Sequence, residues 1–203
     1  MIITELKKYQ PLDKYEENDK KIMLMAYQIF EDELLNRLPF FHFTVSAVIF
    51  DESYQKVLFM FHNIYQSYSW MGGHMDGSRD LKKTILKEIF EETGLKNVSF
   101  ISNDPVSIEI LPVKRHLKNS EVISAHEHYN ITYAIKTSIN EQITNNFSES
   151  KELKWIDIKD LKDYVYEVEM LPIYKKIIER VKNEKINYFW FRWYIVKHNW
   201  RYN

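Results

Sequence analysis

The chain has 203 residues, of which 45% are hydrophobic and 28% charged, and its formal net charge is −1. This length and composition are typical of one globular domain that buries its own core. The near-zero charge gives no electrostatic basis for binding nucleic acid or an anionic membrane. Because the sequence contains no cysteine, disulfides, thiolate metal ligands and cysteine nucleophiles are excluded.

The sequence pattern predicts neither a signal peptide nor a membrane-spanning helix. The first 21 residues include lysines but no apolar core behind them, so they do not resemble a signal peptide. No segment approaches the ~18 consecutive apolar residues that a membrane-spanning helix requires. We therefore expect a cytoplasmic protein with no membrane partner.

The N-terminal segment, residues 1–40, shows a helical spacing of apolar residues among charges over 14–36. The apolar positions are Ile22, Met25, Ile29 and Leu34. The spacing predicts one helix whose apolar face covers the side of the core.

Strand-like runs fill the middle of the chain, which we assign to a domain over 41–171. Two runs rich in β-branched and aromatic residues, 42–51 and 56–62, predict a hairpin. Further strand-like runs lie at 98–102, 106–114, 128–137 and 152–158. A helix over 80–94 set between strands, and a short helix starting near Asp160, predict an α/β sandwich with a mixed sheet.

The C-terminal segment, residues 172–203, is dense in aromatic and basic side chains. A helix over about 172–183 is predicted. We interpret the remainder as an extension packed on its own domain. Homodimer contact is one alternative, and a surface for single-stranded nucleic acid or a membrane is another, although the net charge argues against nucleic acid.

The helix over 80–94 has the clearest boundaries and face in the sequence. Asp80 is the predicted N-cap, and Gly94 is a typical C-terminal stop. The residues expected on its buried face are Leu81, Thr84, Ile85, Ile89 and Leu95.

Three carboxylates of this helix, Glu88, Glu91 and Glu92, stand at positions i, i+3 and i+4. That spacing places them on one face, where like charges repel one another. A divalent cation relieves the repulsion, and Mg²⁺ prefers oxygen ligands and phosphate substrates. A solvated acidic face is the alternative for these residues alone. The glycine-containing segment 69–78, interpreted as a loop, is expected to bring backbone groups to the same place.

Residues 73–95 resemble the Nudix box, in which a glycine precedes a glutamate and an arginine–glutamate–apolar run leads to a glutamate pair and a glycine. The matching residues, without gaps, are Gly73, Glu88, Ile89, Glu91, Glu92, Gly94 and Leu95. The run GGHMDG is similar to the GGHxDG variant of bacterial members. The resemblance covers about residues 42–165 and implies a Nudix α/β/α sandwich. It also implies hydrolysis of a pyrophosphate bond in a nucleoside diphosphate linked to another moiety.

The family resemblance also implies a ligand set. Glu88 and Glu92 would bind Mg²⁺, or Mn²⁺ as an alternative, directly. Glu91 would be a ligand or catalytic partner beside it, and the Gly73 carbonyl would be a further ligand. The general base is expected on a late loop, where Glu149 is the first candidate.

Two positions depart from the Nudix box. Arg79 replaces its first glutamate, and Lys87 replaces its arginine. Lys87, assigned to orient the neighbouring glutamate, keeps the positive charge but lacks the bidentate guanidinium. These departures favour a competing hypothesis, a diverged binding or regulatory module without turnover. The intact glutamate triplet favours the enzyme.

Substrate contacts are predicted at His74, Trp70 and Glu127, and Glu152 and Glu127 are the second and third candidates for the base. His126 and His128 flank Glu127 and would face the same side of a strand. A transition-metal site is the alternative there, but the sequence shows no third or fourth ligand nearby. The expected partner is a small-molecule nucleotide or other pyrophosphate, with RNA-end processing as a minor alternative.

Overall fold

The computed structural model describes residues 2–118, 120–146 and 150–183. Its helices are α1 Ile2–Lys8, α2 Lys14–Phe30, α3 Leu81–Thr93 and α4 over 170–183. Its strands are β1 Phe41–Asp51, β2 Lys56–His62, β3 Ser67–Ser69, β4 Met71–His74, β5 Ser99–Phe100, β6 Ser107–Val113, β7 His116–Lys118, β8 Glu121–Ile123, β9 His126–Thr137 and β10 Ser150–Asp157. Short 3-10 turns occupy Glu31–Leu35 and Ile158–Asp163.

A mixed sheet forms the centre of the molecule. Its strand order is β10-β2-β1-β9-β5, with β3 on β2, β4 on β1 and β6 on β9. β1 and β9 run parallel, from Phe41 opposite Glu127 to Asp51 opposite Thr137. β1 and β2 form the predicted hairpin, with Ile49 opposite Leu58. These pairings confirm the predicted mixed α/β architecture.

Helices cover both faces of the sheet, because successive strand residues point to opposite sides. Val45 of β1 belongs to one apolar cluster, which includes Ile85 and Ile89 of α3. Val48 of β1 belongs to a second cluster, which includes Tyr174 of α4. The sheet therefore lies between α3 and α4, as a sandwich requires. Among the described residues, none of the helices has the length and apolar character needed to cross a membrane.

The hairpin turn is held by one buried carboxylate. Asp51, 6% exposed, accepts hydrogen bonds from the backbone N–H groups of Ser53, Gln55 and Lys56 at 3.0, 2.8 and 2.7 Å. Burial alone would raise the pKa of Asp51, but these hydrogen bonds and one from the Ser53 hydroxyl outweigh it and lower the pKa. The charged carboxylate therefore fixes where β1 ends and β2 begins.

The N-terminal segment differs from the prediction in its boundaries. Helix α1 was not predicted, and the helix expected over 14–36 ends at Phe30. Glu31, its C-cap, has a positive φ of 46°, and a 3-10 turn follows. The positive φ at Glu31 is incompatible with a continuing α-helix.

The predicted buried face of α2 was also wrong. Met25 and Ile29 are 61% and 71% exposed, whereas Met23 and Ala26 are buried. Asp19 accepts a hydrogen bond from the backbone N–H of Ile110 in β6 at 3.0 Å. This polar contact lies on the same side of α2 as Met23 and Ala26, the side that is buried.

Other elements depart from the prediction locally. The glycine-containing segment 69–78 was expected to be a loop, but its first half forms β4, paired with β1. β7 and β8 form a separate hairpin that was not predicted. A 3-10 turn, Ile158–Asp163, stands where a short helix was predicted near Asp160. The interpretations of residues 184–203 fall outside the described residues.

Candidate active site

Helix α3 carries its carboxylates at a fixed rotation because both ends are capped. The Asp80 side chain accepts a hydrogen bond from the Lys83 backbone N–H at 3.0 Å. Gly94 adopts a left-handed conformation, with a φ of 72°, and its N–H bonds to the Phe90 carbonyl. The predicted face is buried throughout, at Leu81, Thr84, Ile85, Ile89 and Leu95. With that face on the sheet, Glu88 and Glu92 are directed to β4.

Two of the glutamates lie directly on the backbone of β4. Glu92 is 2% exposed, and its Oε2 accepts a hydrogen bond from the Gly72 N–H at 3.1 Å. Glu88 lies against Gly73, where an added Cβ would come within 2.6 Å of the Glu88 carboxyl carbon. With Glu88 in this position, a side chain on residue 73 would clash with its carboxylate. The structure thus places Glu88 beside Gly73 and Glu92 beside Gly72. Their role as metal ligands stays a prediction.

Lys87 lies over the outer side of the same carboxylates. Its Nζ is 2.8 Å from Glu91 and 3.2 Å from Glu88. Hydrogen bonds to Glu91 and Glu88 raise the pKa of Lys87. The lysine therefore offsets part of the negative charge of the triplet, while Glu91 remains about half exposed at 49%.

The donor set fits Mg²⁺. Three carboxylates lie on one helix face, and the glycine backbone of β4 lies beside two of them. All of these groups offer oxygen ligands, which Mg²⁺ prefers. The space that a Cβ on Gly73 would fill belongs to the Glu88 carboxylate, so carboxylate and backbone meet closely. Glu91, the most exposed of the three, is accessible to a substrate from solvent.

Arg79 is engaged by the N-terminal segment. Its guanidinium pairs with the Asp32 carboxylate of the 3-10 turn. Nearby, Arg37 makes a bidentate pair with Asp76 at 2.7 and 2.8 Å, which holds the pKa of Asp76 below its usual value. The two pairs tie the N-terminal segment to the turn before α3. The arginine at the box's glutamate position therefore has a structural partner.

Replacing Arg79 with glutamate, the residue typical of the Nudix box, is expected to lower stability, because an exposed ion pair is removed. Turnover should stay within about twofold of the wild-type rate. Such an ion pair contributes roughly 0–1 kcal/mol, and a carboxylate placed opposite Asp32 adds repulsion of similar size. Urea unfolding and initial hydrolysis rates measure the two effects. The charge-swapped pair Arg79→Glu with Asp32→Arg should recover the lost stability. A tenfold gain in turnover would instead assign the family glutamate a direct role at the metal.

The remaining predicted residues fall in different environments. Trp70 is 8% exposed and packs edge-on against Tyr174 at 5.2 Å, and its contact with substrate stays a prediction. Glu127 is exposed at the start of β9, and Glu152 is exposed in β10. Glu149 falls outside the described residues, so its role as general base stays a prediction.

Four histidines form a cluster, and one of them, His42, was not identified from the sequence. His126 and His128 share a face, as predicted, with ring centroids 5.0 Å apart. His42 of β1 and His74 of β4 join them, because His42 lies opposite His128 in the parallel pairing. Burial, and then the neighbouring His74 and His42, lower the pKa of His128 to about 2. No local sequence signal links His42 to a strand that begins 84 positions later.

A sequence profile of the NUDIX domain matches residues 40–180. The chain belongs to the Nudix family. It is therefore a hydrolase that acts on pyrophosphate bonds, the reaction implied by its Nudix box.

Individual relatives are distant. An RNA pyrophosphohydrolase of Nitratiruptor sp. is 23% identical over 144 residues, which cover 69% of this chain and 92% of that protein. Among solved structures, a C. elegans Ap4A hydrolase complex has a TM-score of 0.53 at 13% identity, covering 71% of this chain and 98% of that one. The dihydroneopterin triphosphate pyrophosphohydrolase of E. coli has a TM-score of 0.51 at 13% identity, covering 73% and 98%. The structural likenesses show the shared fold.

Proposed function

We propose that this Nudix hydrolase depends on Mg²⁺, with Mn²⁺ as an alternative, and cleaves a nucleoside diphosphate linked to another moiety at its pyrophosphate bond. The observation that carries the proposal is the close approach of α3 to β4. Glu92 accepts the Gly72 N–H at 3.1 Å, and Glu88 fills the space that a side chain at position 73 would need. Glu88, Glu91, Glu92 and the Gly73 carbonyl are the proposed ligands.

The surrounding residues hold this ligand set in place. The Gly72 N–H orients Glu92, so that a buried carboxylate keeps one conformation. Lys87 holds Glu91 and Glu88 together in spite of their like charge. A bound Mg²⁺ would neutralise phosphate oxygens and lower the pKa of the attacking water. The general base remains proposed at Glu149, then Glu152, then Glu127.

A binding module without turnover is the competing proposal, and the two box departures are its support. At both positions, however, the contacts are compatible with catalysis. Arg79 pairs with Asp32 of the N-terminal segment, and Lys87 retains a positive charge on Glu88 and Glu91. The carboxylates that chemistry needs are all present at one helix face. We therefore favour the enzyme.

The names of the relatives refer to three substrate types, namely RNA, the dinucleoside polyphosphate Ap4A and dihydroneopterin triphosphate. All three are compounds in which a phosphoanhydride bond can be cleaved. RNA 5′-end hydrolysis is the second candidate, and the similarity to the Nitratiruptor protein favours it. The formal net charge of −1 favours a small substrate, because long nucleic acids are bound by basic surfaces.

A product-release assay tests the proposal. Nucleoside diphosphate sugars, dinucleoside polyphosphates, nucleoside triphosphates and 5′-triphosphate RNA are each incubated with Mg²⁺, with Mn²⁺ and with chelator. We expect cation-dependent release of nucleotide or phosphate from a nucleoside diphosphate derivative. Turnover of triphosphate RNA alone would select the second candidate. No turnover of any compound by folded protein would favour the binding module.

A further inference from the structure

Four histidines converge on the sheet face that points away from α3. His42 lies within 4.9 Å of both His74 and His128, measured between ring centroids. His74 and His128 are 5.1 Å apart, and His126 lies 5.0 Å from His42 and from His128. One ligand nitrogen from each of His42, His74 and His128 falls within 4.8 Å of the others. Three strands, β1, β4 and β9, supply the cluster.

The faces of β4 separate this cluster from the carboxylates of α3. Gly73 faces Glu88, and His74 follows it directly in the strand. Because successive strand residues point to opposite faces, the His74 ring lies on the other side of the sheet. The histidine cluster is thus a second constellation, independent of the proposed Mg²⁺ ligands.

Hydrogen bonds to the backbone prepare two of the rings to bind a metal. The His42 Nδ1 lies 2.8 Å from the Leu38 carbonyl, so it carries the proton and donates it. The His42 Nε2 then holds a lone pair, and it is buried without a hydrogen-bond partner in a residue only 4% exposed. His126 Nδ1 donates in the same way to the Ser124 carbonyl at 2.8 Å. A ring whose second nitrogen donates to a carbonyl is typical of zinc-binding histidines.

One distance within the cluster matches that of a tetrahedral site. Zinc–nitrogen bonds of about 2.0–2.1 Å at tetrahedral angles place ligand nitrogens about 3.3 Å apart. The Nε2 atoms of His126 and His128 are 3.2 Å apart. The ligand nitrogens of His42, His74 and His128 lie within 4.8 Å of one another, so each of these pairs needs to approach by roughly 1.5 Å at most to reach that spacing. A buried nitrogen without a partner is costly, and a cation would satisfy it.

We propose that His42, His74 and His128, with His126 as the fourth ligand, bind one Zn²⁺ ion. Imidazole nitrogens favour Zn²⁺ and related transition metals, whereas Mg²⁺ prefers oxygen. The ion would fasten β4 to β1 and β9 directly beside the Gly72–Gly73 pair. In this proposal the ion stabilises the fold, and His74 binds the ion instead of the substrate.

Zinc binding by the full chain, measured by competition with a chromophoric chelator, tests the proposal without any activity assay. Wild-type protein stripped of metal is expected to take up one equivalent with a Kd below about 1 μM, as structural zinc sites do. His74→Gln and His128→Gln should each weaken binding by roughly 100-fold or more, because a ligand contributes more than the 10–100-fold typical of its supporting contacts. His62→Gln, on β2 outside the cluster, is the matched control and should bind as wild type.

Two further readouts separate this site from the glutamates. Glu92→Gln should keep its full affinity for Zn²⁺, and Co²⁺ bound to the wild type should show the intense visible absorption of four-coordinate nitrogen-ligated cobalt. Circular dichroism confirms that each histidine variant is folded. Absence of zinc binding by the wild type would overturn the proposal. So would wild-type affinity in folded His74→Gln and His128→Gln, or a loss of binding in Glu92→Gln alone.

Discussion

Replacing Glu92 with glutamine is expected to reduce Mg²⁺-dependent turnover by roughly 100-fold or more, because one charged oxygen ligand of the cation is lost. The fold should persist. Glutamine keeps the shape of the side chain and an oxygen to accept the Gly72 N–H, which now binds Glu92 at 3.1 Å. Glu92 is 2% exposed, and removing its negative charge also lowers the repulsion within the triplet. Initial rates and thermal unfolding measure the two effects.

A matched substitution makes this result specific. Glu17→Gln removes a carboxylate from another helix, where Glu17 is 58% exposed and pairs with Lys21 at 3.1 Å. Turnover of that variant should equal that of the wild type. If Glu92→Gln kept more than a third of the wild-type rate at saturating Mg²⁺, Glu92 would not be a metal ligand. If it lost activity only below saturation, its contribution would lie in metal affinity.

Local signals allowed much of α3 to be predicted. The N-cap Asp80, the stop at Gly94 and the buried face depend on residues within a few positions of one another, and the structure has all three. The β1–β2 hairpin is similarly local, since Asp51 and the turn after it are adjacent in sequence. Helix caps and short turns act through neighbouring backbone groups, so a sequence pattern reveals them.

Features that depend on distant residues were not predictable. α2 carries two apolar sets, and the buried one lies on the same side as Asp19, whose hydrogen-bond partner Ile110 is 91 residues away. β4 contains two glycines and has low intrinsic strand propensity, yet pairing with β1 makes it a strand. The partner of Arg79 is equally remote, because Asp32 lies 47 residues earlier.

A buried ion network joins three elements that are far apart in sequence. The Lys176 ammonium of α4 lies 2.6 Å from Glu16 of α2 and 3.3 Å from Glu109 of β6. Glu16 is 1% exposed and Glu109 5% exposed. The Ser107 hydroxyl contacts both carboxylates, at 3.0 Å from Glu16. One lysine thus balances two carboxylates that water cannot solvate.

Lys176→Met is expected to destabilise the protein by roughly 3–5 kcal/mol, since removing one partner of a buried ion pair leaves an uncompensated charge. Methionine retains much of the apolar stem, so the loss reports mainly on the ammonium. Lys175→Met, on the exposed side of α4, is the matched control and should change stability by less than about 0.5 kcal/mol. Urea unfolding measures both. Equal losses in the two variants would contradict a special role for Lys176.

The destabilisation by Lys176→Met should increase with pH. Burial raises the pKa of Glu109 from 4.5 to about 7, although the nearby Lys176 lowers it. A carboxyl with a raised pKa holds its proton in the folded state while the unfolded state releases it, so stability falls as pH rises across that window. Without the lysine the pKa of Glu109 rises further, and the loss therefore grows between about pH 5 and pH 8. Adding Glu109→Gln to Lys176→Met should remove most of this pH dependence, whereas a pH-independent loss would mean that Lys176 acts through packing.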